Sequence, residues 1–353
     1  MSGRSSANGR ANKWEVTVTR VACVGTGLVG SAWAVAFARG GCDVSMFDAA
    51  GSDAYDRSRS LIAETLMLLE ESGSIAESAR SIMARISYHD RLDDAVDTVD
   101  HVQESAKEDR DVKRELFAHL EGLVQPYTIL ASSTSAIKGS EFLTIESAER
   151  ALVAHPVNPP SLIPLVELCG TPATSAATIE RTHAFMTSLG MAPVTLNKEI
   201  DGFLLNRLQY TLVAEALHLV GEGYCSASDI DRVVTEGLAL RWATIGPFEV
   251  AHLNSPDGFR GFVNHLGPMM RKMGKEARTD YDWPDSLATK IHNELLQTIP
   301  EENFGLRQSW RNSNIIATRT MQNATAQNFQ SLIDQKAKGN DNDQSGTESN
   351  HPV

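Results

Sequence analysis

The stretch from Val21 to Gly30 reads Val-Ala-Cys-Val-Gly-Thr-Gly-Leu-Val-Gly, and it decides the fold of the first half of the chain. It begins with a short apolar run, which is typical of a buried strand in a parallel sheet. A GxGxxG motif follows, and residues 31–39, which contain no glycine or proline, are predicted to form a helix. Residues 43–48 are a second predicted strand that ends in Asp48. This order of elements predicts the first unit of a doubly wound α/β sheet.

Each glycine of the motif has a distinct structural role. Gly25 permits a tight turn, Gly27 lets the backbone approach a pyrophosphate, and Gly30 lets the helix pack closely on the strand. The first helical turn, which includes Leu28 and Val29, offers unpaired N–H groups and a positive dipole end to phosphates. The motif alone is a weak signal, and FAD-binding proteins share it. With the two flanking strands it indicates a dinucleotide site.

Asp48 indicates which dinucleotide is bound. A carboxylate at the end of the second strand accepts hydrogen bonds from the adenosine ribose hydroxyls and repels a 2′-phosphate. The sequence therefore predicts NAD as the cofactor in preference to NADP.

Strands and helices continue to alternate up to about residue 197. Polar groups just beyond the carboxyl ends of such strands face the ligand crevice, and Ser135 and His155 fall at two of these positions. Either residue alone is more often an ordinary hydrogen-bonded loop residue than a catalytic one. The further predicted helices are 58–72, 111–123 and 142–150, and the further predicted strands are 86–88, 101–103, 127–131 and 152–154.

The second half of the chain has a different pattern. Residues 203–222 carry apolar side chains at helical spacing, which is typical of the long helices of an α-helical domain. The sequence therefore predicts a Rossmann-type α/β domain over residues 17–197 and a smaller all-α C-terminal domain over residues 198–322.

Both ends of the chain are polar. We predict a disordered leader over residues 1–16, with a short transit peptide as the alternative. Residues 323–353 are predicted to form a tail, disordered at least from residue 336, because residues 336–353 include only two apolar side chains, Ala337 and Val353.

Composition excludes several classes of function. The chain of 353 residues has 32 Lys and Arg against 45 Asp and Glu, a net charge of −13, which disfavours binding to nucleic acid. No apolar run reaches the length of a membrane span. The four cysteines and ten histidines lack metal-ligand spacing, so we expect no metal and no disulfide framework. We therefore expect a cytoplasmic protein.

A family resemblance lies in the second part of the predicted sheet. Residues 154–160 read Ala-His-Pro-Val-Asn-Pro-Pro, and residues 164–167 read Pro-Leu-Val-Glu. This pattern resembles the signature of the 3-hydroxyacyl-CoA dehydrogenase superfamily, and its His-Pro-Val-Asn-Pro-Pro version resembles the λ-crystallin / L-gulonate 3-dehydrogenase branch. The resemblance covers about residues 17–320, with further matching motifs at 202–209, 235–238 and 241–247.

The resemblance implies an activity and a set of site residues. It implies NAD-dependent oxidation of the 3-hydroxyl of a hydroxy acid, with L-gulonate as the leading candidate, in a homodimer formed through the C-terminal helical domain. The implied catalytic residues are His155 as the acid/base, Glu167 as its partner, and Ser135, Asn158 and Asn206 as polar groups that position the substrate. The implied cofactor contacts are Gly25, Gly27, Leu28, Val29, Gly30 and Asp48 for the adenosine and pyrophosphate, and Glu108, Lys113 and Ser135 for the nicotinamide half.

Two alternatives stay open. The first is a dehydrogenase of 3-hydroxyacyl-CoA thioesters, whose phosphates require cations near the N-terminal domain. The chain has no lysine between Lys13 and Lys107, although Arg57 and Arg59 are cations in this stretch, and it has Ser133 where the fatty-acyl branch commonly has Asn. Both features favour a free acid. The second alternative is a non-catalytic, crystallin-like structural protein, which the intact set of site residues disfavours.

Overall fold

The computed structural model describes residues 19–344. The predicted leader and residues 345–353 of the predicted tail lie outside the described residues. Contacts divide the chain into two compact units, the first ending at Leu208 and the second beginning at Gln209.

The first unit is built on one mixed sheet. Its order is β3-β2-β1-β4-β5-β6-β7-β8. Strands β1 to β6 are parallel, β7 is antiparallel to β6, and β8 is parallel to β7. This confirms the predicted doubly wound α/β fold. The strands are β1 (Arg20–Val24), β2 (Asp43–Phe47), β3 (Ile86–Tyr88), β4 (His101–Glu104), β5 (Ile129–Ser132), β6 (Ala151–Pro156), β7 (Leu165–Gly170) and β8 (Ala192–Leu196).

Helices pack against this sheet and bury its apolar side chains. Val102 on β4, Leu130 on β5 and Val153 on β6 are fully buried together with Phe117 of helix α5. The continuous burial of β4, β5 and β6 is the pattern of central parallel strands. The helices are α1 (Leu28–Arg39), α2 (Ser52–Glu71), α3 (Ala79–Met83), α4 (Leu92–Val96), α5 (Arg110–Leu123) and α6 (Ala176–Ser188).

The predicted helix at 142–150 is wrong. The connection from β5 to β6 contains two short 3-10 turns instead, Gly139–Glu141 and Ala148–Arg150. Its backbone N–H groups at Glu146 and Ser147 donate to the carboxylate of Glu121, at 3.2 and 2.6 Å, and not to helical carbonyls. A tertiary hydrogen bond therefore replaces the helical ones that the local pattern predicted.

Helices are the only regular secondary structure in the described residues of the second unit, which confirms the predicted all-α C-terminal half. Helix α7 spans the boundary between the two units. The helices are α7 (Leu205–Gly221), α8 (Ala227–Arg232), α9 (Ala239–Trp242), α10 (Pro247–Leu253), α11 (Gly258–Glu276), α12 (Asp285–Thr298) and α13 (Phe304–Gln344), with a π-helical turn at Val233–Leu238 between α8 and α9. None of the helices in residues 19–344 is both long and apolar enough to cross a membrane.

Helix α13 continues past residue 323, where we predicted the tail to begin. The sequence has no glycine or proline from residue 306 to residue 338, so no strong helix breaker stops it there. The expected disorder from residue 336 stays a prediction about the chain in solution.

Candidate active site

The glycine-rich turn joins β1 to α1, and two of its glycines are required by the protein itself. Gly25 has a φ of +97°, and a Cβ there would lie 2.5 Å from the carbonyl oxygen of Ser105. A Cβ on Gly30 would lie 1.9 Å from the carbonyl oxygen of Gly25. Neither position accepts a side chain, because the atoms in the way are backbone.

Gly27 is different, because a Cβ there would meet no protein atom within 4 Å. Gly27 is the N-cap of α1 and has no side-chain cap. The N–H groups of the first turn of α1 therefore receive no side-chain cap from this residue. This combination fits a bound pyrophosphate, which both accepts hydrogen bonds from such N–H groups and needs close approach to the backbone. The predicted contacts of Leu28 and Val29 lie in this turn.

Asp48 lies directly after β2, beside the glycine-rich turn. One carboxylate oxygen accepts hydrogen bonds from the N–H of Thr26 at 2.8 Å and from its hydroxyl at 3.0 Å. The other oxygen accepts from the N–H of Ala50 at 2.9 Å. These bonds fix the carboxylate, and its remaining acceptor capacity suits a ribose hydroxyl.

A buried ion pair lies at the end of β4. The Glu104 carboxylate accepts from the Lys113 ammonium at 2.8 and 3.1 Å and from the Ser132 hydroxyl at 2.5 Å. The side chains of Glu104 and Lys113 are 0% and 1% exposed. Sequence reasoning missed Glu104, although its place at the end of a predicted strand was a usable signal. Lys113 is thus buried, and its predicted contact with the nicotinamide half stays a prediction.

Glu108 connects this ion pair to the loop after β5. Its carboxylate lies 3.4 Å from the Lys113 ammonium and accepts from the Thr134 hydroxyl at 2.6 Å and from the N–H groups of Ser135 and Ala136 at 2.9 and 3.1 Å. Burial raises the pKa of Glu108, but the Thr134 hydroxyl, the Lys113 charge and the two N–H groups together bring the pKa below its ordinary value. An ionised Glu108 therefore shapes this loop.

Ser135 and Asn206 are brought together by the structure. The Asn206 amide donates to the carbonyl oxygen of Ser135 at 2.7 Å, and the Ser135 side chain is exposed. Asn158 lies just beyond β6 and is also exposed. Its predicted contact with the substrate stays a prediction, because its side chain has no hydrogen bond to another residue of the described part of the chain.

His155 and Glu167 face each other across β6 and β7, where they are directly opposed in register. The His155 Nδ1 lies 2.8 Å from one oxygen of the Glu167 carboxylate, and the side chains are 4% and 2% exposed. Because a carboxylate accepts, Nδ1 is assigned the proton of a neutral imidazole, and Nε2 is left as an acceptor.

The start of α7 holds the other oxygen of Glu167. The N–H groups of Leu204 and Leu205 donate to it at 2.8 and 3.0 Å. Burial raises the pKa of Glu167, whereas the hydrogen bonds from His155 and from these N–H groups lower it to a value below the ordinary one. A carboxylate at a helix N-terminus is favoured in its charged form.

Phe203 is the remaining part of this arrangement. It is fully buried, has a φ of +50°, and its ring centroid lies 5.2 Å from that of His155. Sequence reasoning missed both Phe203 and the two N–H groups. The motif from Gly202 to Gln209 was noted only for its side chains, and a backbone donor leaves no signature in residue types.

Two further features concern metal ligands and disulfides. Within residues 19–344, no group of three His, Cys, Asp or Glu side chains is arranged to hold a metal ion. The four cysteines are not joined in disulfides.

A dinucleotide-type glycine turn after β1 and a carboxylate-paired imidazole on β6, both at the carboxyl ends of strands of one parallel set, are the features expected of a nicotinamide-dependent dehydrogenase. Comparison with known families agrees. The NAD-binding domain of 3-hydroxyacyl-CoA dehydrogenase matches residues 20–200, and the C-terminal domain of the same enzymes matches residues 202–293. The chain belongs to the 3-hydroxyacyl-CoA dehydrogenase family, and it is an NAD-dependent oxidoreductase that oxidises a hydroxyl group.

Lambda-crystallins and L-carnitine dehydrogenases are among the curated relatives of this chain. Lambda-crystallin of Oryctolagus cuniculus is 39% identical over 82% of this chain and 92% of its own length. An L-carnitine dehydrogenase of Streptomyces griseus is 41% identical over 72% of this chain and 75% of its own length.

Solved structures share the fold. A (S)-3-hydroxybutyryl-CoA dehydrogenase from Ralstonia eutropha is 29% identical, with a TM-score of 0.58 over 71% of this chain and 87% of that one. An NAD-dependent 5-formyl-3-hydroxy-2-methylpyridine 4-carboxylic acid 5-dehydrogenase has a TM-score of 0.75 over 87% of this chain and 99% of that one; at 24% identity, the likeness concerns the fold alone.

Proposed function

We propose that the protein oxidises the 3-hydroxyl of a small free hydroxy acid to a ketone, with L-gulonate as the leading substrate. The observation that carries the proposal is the buried pair of His155 and Glu167, joined at 2.8 Å and held by the start of α7. Bound NAD would supply the hydride acceptor, so the protein has to supply a proton acceptor and a means of orienting the alcohol.

His155 is suited to take the hydroxyl proton at Nε2, since Nδ1 is engaged by Glu167. The imidazole becomes cationic when it takes this proton, and the ionised Glu167 stabilises the cation and keeps the ring oriented. We propose that the exposed hydroxyl of Ser135 and the amide of Asn206 donate to the substrate oxygen as it gains carbonyl character. Asn158 is proposed to position the rest of the acid.

The charges on α2 and β3 favour a free acid over a coenzyme A thioester. Arg59 lies 3.0 Å from the carboxylate of Asp56, and its guanidinium stacks over the Tyr88 ring at 4.3 Å. An arginine with two partners is a poorer phosphate ligand, and no lysine lies between residues 13 and 107. Arg57 is exposed in the same helix, so the thioester stays a measurable alternative.

The relatives named as L-carnitine dehydrogenases, at 39% and 41% identity, favour a second candidate substrate. L-Carnitine is itself a small 3-hydroxy acid, so the same proton acceptor would serve. The non-catalytic, crystallin-like alternative is opposed by the intact His155–Glu167 pair.

One assay separates these possibilities. NADH formation is followed with L-gulonate, L-carnitine, L-3-hydroxybutyrate and 3-hydroxybutyryl-CoA at matched ionic strength. We expect a free acid to give a higher kcat/KM than the thioester, with L-gulonate above L-carnitine. A clear preference for the thioester would overturn the substrate proposal, and no turnover with any 3-hydroxy compound would overturn the catalytic one.

Cofactor preference is proposed to depend on Asp48. Replacing Asp48 by Ser removes the charge that repels a 2′-phosphate, so the preference for NAD over NADP should fall about tenfold or more. The measurement is the ratio of kcat/KM for the two cofactors. Equal use of NAD and NADP by the unaltered protein would contradict the role given to Asp48.

We also propose that the protein is a homodimer formed through its C-terminal helical unit. Large apolar side chains of this unit are exposed in the single chain, which is costly in water unless a partner covers them. Examples on α7, α10 and α11 are Tyr210, Leu212, Val213, Phe248, Leu253, Met270 and Met273. Light scattering should give twice the chain mass of 38.4 kDa, and a monomer at micromolar concentration would contradict the proposal. A cytoplasmic location stays a prediction.

A further inference from the structure

Ser105 lies at the centre of the dinucleotide crevice, although no sequence motif pointed to it. It is the first residue beyond β4 and is half-buried. A Cβ on Gly25 would lie 2.5 Å from the Ser105 carbonyl oxygen, and a Cβ on Gly30 would lie 3.5 Å from the Ser105 Cβ. Ser105 is therefore packed against both ends of the glycine-rich turn.

A buried polar network fixes the neighbour of Ser105, which is Ser133 at the end of β5. The Ser133 hydroxyl oxygen lies 3.1 Å from the indole nitrogen of Trp33 and 2.7 Å from the amide nitrogen of Gln103. An indole N–H only donates. The same Gln103 nitrogen lies 3.3 Å from the carbonyl oxygen of Ala154, which only accepts, so the orientation of the Gln103 amide is also determined.

These bonds determine where the Ser133 proton goes. A hydroxyl oxygen has two lone pairs and one proton, and both lone pairs of Ser133 are used by Trp33 and Gln103. The Ser133 proton must therefore be donated to the Ser105 hydroxyl oxygen, 2.9 Å away. The Ser105 hydroxyl accepts this bond, so its own proton points away from Ser133.

His101, at the end of the network away from Ser105, is consistent with this direction of donation. Nε2 of His101 lies 3.1 Å from the oxygen of the Gln103 amide, which can only accept. Burial lowers the pKa of His101 to about 4, and the hydrogen bond that His101 donates to Gln103 opposes this shift only in part. His101 is therefore neutral at physiological pH, and the chain of donors runs one way, from His101 to Ser105.

The Ser105 proton is left for a ligand. In the part of the chain that the structure describes, the Ser105 hydroxyl has no hydrogen-bond partner other than Ser133. The Ser105 hydroxyl is oriented by the bond that it accepts from Ser133, and it lies beside the glycine-rich turn. Its O–H group can therefore donate a hydrogen bond to a ligand bound at this turn.

The order of the strands indicates which part of NAD supplies that acceptor. Asp48, the adenosine contact, follows β2, which lies on one side of β1. Ser105 follows β4, on the other side of β1, and β5 and β6 with His155 continue in that direction. A dinucleotide that crosses the glycine-rich turn from Asp48 therefore brings its nicotinamide half to Ser105.

We propose that the Ser105 hydroxyl donates a hydrogen bond to an oxygen of the nicotinamide half of bound NAD, and that Trp33, Gln103 and Ser133 hold it in that direction. Ser105 is then a cofactor-positioning residue. It adds a side-chain donor on the nicotinamide side to the backbone donors of the glycine-rich turn.

The test measures binding and not turnover. Ser105→Ala should raise the Kd of NADH, followed by its fluorescence, about fivefold to tenfold. The Kd of ADP, which contains the adenosine and pyrophosphate part but no nicotinamide half, should change less than about twofold. Ser188→Ala, at the end of α6, is the matched control, because it also removes a serine hydroxyl bonded at 2.7 Å.

Ser105→Cys separates hydrogen bonding from packing, because a thiol has nearly the same shape but donates weakly. It should weaken NADH binding as Ser105→Ala does, and the melting temperature of both variants should stay close to that of the control. An unchanged Kd for NADH in Ser105→Ala would overturn the proposal. Equal losses for ADP and NADH, or full affinity in Ser105→Cys, would also overturn it.

Discussion

Glu104 at the end of β4 and Glu167 on β7 are both buried carboxylates, yet their charges are balanced in different ways. Glu104 meets the Lys113 ammonium, the Ser132 hydroxyl and one backbone N–H, that of Ala106. Glu167 meets an imidazole on one oxygen and two backbone N–H groups on the other.

The difference separates a pair proposed to be structural from a pair proposed to be reactive. The Glu104–Lys113 pair joins a carboxylate to an ammonium, which has no lone pair with which to accept a further proton. The imidazole of His155 has a second nitrogen that can accept a proton, so the charge of the His155–Glu167 pair changes when a proton arrives. The two N–H groups at the start of α7 donate to Glu167 whichever protonation state His155 has, and they favour the ionised carboxylate.

The largest expected effect concerns the structural pair. Glu104→Gln leaves the Lys113 ammonium buried with only Glu108 at 3.4 Å, so the free energy of unfolding should fall by about 3 to 5 kcal/mol. Urea denaturation measures this loss. The double variant Glu104→Leu with Lys113→Met removes both charges and should recover much of the stability. If Glu104→Gln lowered the free energy of unfolding by less than about 1 kcal/mol, the structural role given to the Glu104–Lys113 pair would be contradicted.

His101 on β4 sharpens the comparison, because it is a buried titratable group with no carboxylate partner. Burial lowers its pKa from 6.5 to about 4. Between these values the unfolded chain binds more protons than the folded one, so stability should fall as the pH falls from 6.5 towards 4. The contribution lost is about 3 kcal/mol.

The measurement for His101 is the difference in the free energy of unfolding between the unaltered protein and a variant that lacks this imidazole. Urea unfolding of the unaltered protein and of His101→Leu is compared at several pH values between 7 and 4.5. The variant lacks the titrating group, so the stability gap between the two proteins should shift in favour of the variant as the pH falls. A gap that stays constant over this range would show that His101 does not titrate as described.

A smaller effect, in turnover, is expected at the reactive pair. His155→Asn removes the proton acceptor, and kcat should fall at least about a hundredfold, which corresponds to about 2.7 kcal/mol. The Kd of NADH should change little, since the glycine-rich turn is untouched. A variant that keeps most of its turnover would mean that another group takes the proton.

The parts of the fold that the sequence predicted are those set by local pattern. The run from Val21 to Val24, the three glycines and Asp48 lie where the pattern placed them, because buried parallel strands and glycine turns depend on nearby residues. The helix predicted at 142–150 failed because Glu121, distant in sequence, takes the N–H groups that a helix would have used.

The sequence likewise predicted only part of the candidate site. Strand ends and the family motif singled out His155, Glu167 and Ser135; the structure brings His155 and Glu167 into contact, and the catalytic roles stay a proposal. The motif could not place Lys113 in a buried ion pair, since burial depends on the whole sheet. Backbone donors such as the N–H of Leu204 were beyond reach, because any residue type supplies one.

The central claim is that an ionised Glu167 stabilises the protonated form of His155 during turnover. The most direct test compares the pH dependence of kcat for alcohol oxidation in the unaltered protein and in Glu167→Gln. Without the carboxylate, the imidazolium loses its stabilisation. The acid limb of the profile should therefore move to lower pH, and the maximal rate should fall about tenfold or more. A Glu167→Gln variant with the same acid limb and the same maximal rate would contradict the account.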